Sequence, residues 1–131
     1  MNDARRTLYY IYNADRGLLN AVRDSFHKTF APDSYPCALC ALAFGFFTMK
    51  PGWRKLRGQI AIEQKELHRD DYRRPFHDLE ERLPVIVLRG EDGATEVLVR
   101  AEEMEAARNL EELVATTRKA LARAGVPMRE G

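Results

Sequence analysis

Cys37 and Cys40 are the only cysteines in the sequence, and they are spaced i, i+3. On a helix that spacing sets both sulfurs on one face, within reach of each other. Pro36 just before them suits the first helical position, with Ser34 or Tyr35 as the cap. A thiol at a helix start is stabilised as thiolate, so Cys37 is expected to attack disulfides and Cys40 to resolve the mixed disulfide. The same pair supports two other readings. Two thiolates with His27 and His68 make the ligand set of a tetrahedral zinc or copper site, and His77 is a further imidazole. Alternatively, two small apolar side chains simply fill a tight helix contact.

A second group lies upstream. Asn20, Asp24, His27 and Lys28 form a polar stripe on a helix, and Asp24 stands one turn from His27, where a carboxylate can orient an imidazole. With Asn13 at a strand end and Tyr35 beside the cysteines, Asp24 and His27 are expected to line a binding cleft at the carboxyl edge of a sheet. The bland alternative is a solvated helix face. The basic residues Lys50, Arg54, Lys55 and Arg57 read as another such face.

The elements that must hold these groups follow from the apolar pattern. Residues 7–12, Thr-Leu-Tyr-Tyr-Ile-Tyr, are β-branched and aromatic on both faces, as in a buried strand. Residues 18–30 have a helical stripe of Leu18, Leu19, Val22, Phe26 and Phe30, stopped by Pro32. Residues 37–47 are an almost wholly apolar helix that must be buried or cover a partner, so a homodimer through it is one expectation. A further helix is expected over 51–61, a strand over 63–68 and a short helix over 72–81. A buried strand over 83–89, a hairpin turn at 90–93 and a strand over 95–100 come next. Asn109 with Glu112 signals the start of a last helix, which Gly125 and Pro127 end. Helices between the early strands require parallel crossovers, and the hairpin adds an antiparallel strand. The expected fold is α/β, with a mixed sheet of about four strands flanked by helices on both faces, in one domain over residues 1–131.

At this point the sequence resembles the thioredoxin-like fold. Leu83-Pro84 at the head of a buried strand, the glycine turn, the strand 95–100 and the C-terminal helix match its second half. The resemblance implies that Pro84 is cis and lies beside the cysteines, as part of the catalytic group Cys37, Cys40 and Pro84. The chain also resembles a small uncharacterised bacterial family through Tyr12-Asn13, His27-Lys28, Ala31-Pro32, Tyr35 and Cys37-Ala38-Leu39-Cys40. It departs from the thioredoxin pattern in one respect. There the pair follows the first strand directly, whereas here a whole helix intervenes and the usual tryptophan, glycine and proline of the motif are missing.

Composition bounds the rest. The 131 residues are 45% apolar and 31% charged, an ordinary globular profile. Twenty-one basic and 20 acidic side chains give a net charge of +1, which argues against bulk binding to nucleic acid or an acidic membrane. No signal peptide or membrane span is expected, so the expected setting is cytoplasmic, where a stable disulfide is disfavoured. No phosphate-loop, dinucleotide or nucleophilic-serine motif is present. No cofactor is required beyond the zinc or copper of the metal reading. The expected partner is a protein thiol or disulfide.

Overall fold

The computed structural model describes residues 6–14, 38–43 and 49–129. The expected helix over 18–30, with Asp24 and His27, lies outside them, as do Tyr35 and Cys37.

Four strands, β1 (Thr7–Ile11), β2 (Glu63–Leu67), β3 (Val85–Arg89) and β4 (Thr95–Val99), form one sheet in the order β2-β1-β3-β4. β1 runs parallel to β2, with Ile11 opposite Leu67, and antiparallel to β3, with Ile11 opposite Val85. β3 and β4 form the expected hairpin. Its turn is closed by Gly90 N–H to the Ala94 carbonyl (2.9 Å) and by Ala94 N–H to Asp92 Oδ1 (3.0 Å). Gly93, at φ +89°, supplies the left-handed residue that the turn needs. This is the expected α/β arrangement with a mixed four-stranded sheet, and the Leu83–Pro84 peptide bond is cis at the head of β3.

The strands are central where the sequence is apolar on both sides. One face of the sheet presents Leu8, Tyr10, Tyr12, Ile86, Leu88 and Leu98. Four helices pack there: α1 (Ala38–Ala43), α2 (Pro51–Gln59), α3 (Ala101–Ala106) and α4 (Leu110–Arg123). They contribute Leu39, Trp53, Leu56, Met104, Leu113 and Leu121, all fully or almost fully buried. At about 25 cal/mol per Å² of apolar surface, each large side chain so placed contributes roughly 1.5–3 kcal/mol relative to exposure. The opposite face holds Ile11, Val85 and Val87 under Tyr72, Phe76, Leu79 and Leu83.

Those last residues come from the stretch expected to be a helix over 72–81. Instead the chain makes separate turns, with Tyr72 N–H on the His68 carbonyl and Phe76 N–H on the Tyr72 carbonyl, both at 3.0 Å. Pro75 explains the interruption: it has no N–H to extend the ladder and it restricts Arg74. The turns still bury Phe76, whose ring meets Tyr9 edge-on at 4.8 Å and lies under the Arg89 guanidinium.

Helix ends follow the sequence signals. Asn109 caps α4 through its side-chain oxygen on Glu112 N–H (2.9 Å). At the other end Gly125 takes φ +70°, and the Arg6 guanidinium donates to the Ala124 and Gly125 carbonyls, both at 2.9 Å. α3, a single turn and a half begun by the Glu103 carboxylate on Arg100 N–H, was not among the expected elements. Among the described residues no helix is long and apolar enough to cross a membrane.

Candidate functional site

The carboxyl ends of β1 and β2 and the start of β3 share one edge of the sheet. Tyr12 N–H donates to the Leu67 carbonyl (2.9 Å) and Arg69 N–H to the Ala14 carbonyl (3.0 Å), which locks the Asn13 loop to the end of β2. Extending the register one position past Ile11, Leu67 and Val85 gives a row His68, Tyr12, Pro84 across the three strands. Alternation puts all three on the face that carries Tyr10, because Ile11, Val85 and Leu83 belong to the opposite core.

That face is also where α1 packs. Leu39 and Ala43, both fully buried, share a core with Leu8, Tyr10 and Tyr12. α1 contacts α3, which starts where β4 ends, at the same edge as Pro84. Cys40 lies on α1 and Cys37 immediately precedes it. Cys37 itself is outside the described residues, and for Cys40 the helix position is what is described. Of the residues expected to line a cleft, Asn13 lies just past β1 and is half-buried, while Asp24, His27 and Tyr35 lie outside the described residues.

His68 is nearly buried, and its Nδ1 lies 3.3 Å from Asp71 Oδ2. The other oxygen of Asp71 accepts the His68 backbone N–H at 2.6 Å, so the pair is fixed twice. The imidazole lies against Tyr12, ring centres 5.7 Å apart. A carboxylate on one ring nitrogen orients the imidazole and directs the other nitrogen outward from the pair, the usual support for a metal-binding or proton-transferring histidine. His77 is exposed and apart from this edge, on the turn stretch. Among the described residues no three histidine, cysteine, aspartate or glutamate side chains cluster as metal ligands.

Sequence reading missed the polar column beside this pair. Gln64, Glu66 and His68 alternate along the inner side of β2. Glu66 accepts from Arg57 of α2 (2.6 Å) and from the Tyr12 hydroxyl (3.0 Å). The Tyr10 hydroxyl donates to Gln64 (2.5 Å), and Gln64 in turn donates to the Arg57 carbonyl (2.9 Å). The Arg57 guanidinium stands over the Tyr10 ring at 4.4 Å, a cation–π contact. Burial pushes the Tyr10 phenol well above its ordinary range; Arg57 opposes the shift and the Glu66 charge reinforces it. Burial also works against the Arg57 charge, yet Tyr10, Glu66 and Tyr12 together raise its pKa further. The signal was present as three polar residues at i, i+2 and i+4 in a strand that pairs with an apolar one. Comparison with family models, with curated proteins and with solved structures finds no match for this chain.

Proposed function

We propose that this chain is a cytoplasmic thiol–disulfide exchange protein working through Cys37 and Cys40. The observation that supports the reading is the position of Pro84 at the head of β3, which the strand register puts on the sheet face where the helix that carries Cys40 packs. A fold of this class hosts many functions, so the weight rests on the Cys37-Ala38-Leu39-Cys40 motif rather than on topology alone.

The chemistry is exchange of sulfur–sulfur bonds. The Cys37 thiolate attacks one sulfur of a partner disulfide; that bond breaks, and the partner's other sulfur leaves as thiolate and takes up a proton. The Cys40 thiolate then attacks the Cys37 sulfur and releases the partner's second thiol. The partner is reduced by two electrons and the cysteine pair is oxidised; a second dithiol returns the pair to the reduced state by the same exchange. Asn13 and Tyr35 would contact the partner at the loop, and Asp24 with His27 would complete the cleft. The test is reaction of the native protein with a small aromatic disulfide across pH. Cys37→Ser is expected to abolish exchange, and Cys40→Ser to stop the reaction at the mixed disulfide. Slow labelling of both thiols with an apparent pKa near the ~8.5 of a free thiol would refute the reading.

The orientation of His68 by Asp71 favours a second reading, a non-enzymatic metal-binding or interaction module. In it Cys37, Cys40, His27 and His68 hold zinc or copper. Metal analysis of the purified protein separates the two: about one bound metal per chain, lost in His68→Ala together with thiol protection, would support it.

A further inference from the structure

The two edges of the sheet differ. At β4 a bulge interrupts the register between Ile86 and Val87, and the Leu98 carbonyl is taken by Arg123 (3.4 Å). Both features blunt an edge. At β2 the register is regular over all five residues, with no proline and no bulge. Among the described residues β2 has one strand neighbour, β1.

Parallel pairing makes alternate residues of β2 face β1. Leu67 does so, since its carbonyl accepts from Tyr12 N–H, and Glu63 and Lys65 share that phase. The Gln64 backbone N–H and C=O therefore point away from β1. Glu63 and Lys65 carry exposed side chains on the other face, 63% and 54% accessible, and form a loose ion pair with each other at 3.8 Å that a second copy's charges would extend into a network of four. They sit symmetrically about Gln64.

We infer that the outer edge of β2, unpaired among the described strands, pairs antiparallel with β2 of a second copy of this chain, about a two-fold axis through Gln64. In that register the two Gln64 residues exchange N–H···O=C bonds with each other. Glu63 of each copy faces Lys65 of the other as a close, non-hydrogen-bonded pair, the geometry in which cross-strand side chains interact most. The edge is self-complementary in charge: opposite signs meet at both positions, where an edge defended by like charges would repel itself. Two four-stranded sheets become one continuous sheet of eight. This surface is distinct from the apolar helix that sequence reading offered for dimerisation. It is independent of the thiol chemistry.

The test is sedimentation velocity of the full chain from micromolar to sub-millimolar concentration, with Lys65→Glu, Glu63→Lys and the double exchange. Both positions are exposed, so each variant is expected to fold, as checked by circular dichroism. The wild type is expected to dimerise, more weakly at high salt. Each single variant is expected to weaken the dimer by about tenfold or more. The double exchange restores it, and a mixture of the two single variants forms the mixed dimer. A wild type that stays monomeric throughout would overturn the inference. So would a dimer indifferent to Lys65→Glu, or single variants that fold but fail to pair with each other.

Discussion

Tyr10 shows how one side chain couples the polar column to stability. Its ring is fully buried, edge-on to Trp53 at 6.0 Å, while its hydroxyl is spent on Gln64. Burial holds the phenol neutral well above its ordinary value near 10. The unfolded chain releases this proton as pH rises past that value, and the folded chain keeps it. The folded state then binds the extra proton, so the contribution is complete below about pH 10 and is lost as pH climbs toward the folded value. Phenolate absorbance from Tyr10 should therefore rise only with unfolding, and Tyr10→Phe should lower the amplitude of that cooperative step by one tyrosine. The same substitution leaves the Gln64 oxygen to Arg57 alone, so a loss of about 0.5–1.5 kcal/mol by urea unfolding is expected. A Tyr10 that titrates freely before unfolding would contradict the burial argument. The residue was legible in sequence as a core aromatic of β1. Its hydroxyl partner was not, because nothing in a single strand says which strand will lie beside it.

Elements with local signals were read well, and those defined by tertiary contact were read poorly. The strand 7–11, the hairpin and the cap and stop of α4 each follow from side chains acting within a few residues. The break within 72–81 also had its sign, Pro75, although apolar spacing suggested a helix. α3 was missed although Ala, Glu and Met favour a helix and Glu103 marks its start; six residues are too few for a periodic apolar stripe, and Ala101 and Met104 in the core fix it. Gly125 tests the local side of this contrast. It ends α4 at φ +70°, and a Cβ there would meet nothing within 4 Å, so any cost of Gly125→Ala is conformational rather than steric. A loss of about 1–2 kcal/mol is expected in chemical denaturation, with the slope unchanged. Gly58 is the control: it lies within α2, a Cβ there also meets open space, and Gly58→Ala should stabilise by about 0.5–1 kcal/mol.

At the scale of the molecule, the sheet is organised around two strands that each have neighbours on both sides, β1 and β3. They separate two cores, one under helices and one under turns. The sequence announced this order, since residues 7–11 and 85–89 are the most continuously apolar runs among the strands. The edge strands carry charge. It did not announce how the candidate site is divided, because Cys37 and Cys40 come from one crossover while Pro84, Tyr12 and His68 are brought to a common edge only by pairing. Amide exchange reads this hierarchy directly. The slowest amides should belong to β1 and β3 and exchange through global unfolding, whereas outward amides of β2 and the turns at 69–83 should exchange by smaller openings. Dimerisation through β2 predicts one departure from that order. Protection of the Gln64 amide should rise with protein concentration while β4 stays unchanged, and in Lys65→Glu the concentration dependence should vanish. Concentration-independent exchange at Gln64 in the wild type would mean that the edge stays open and the sheet ends at β2.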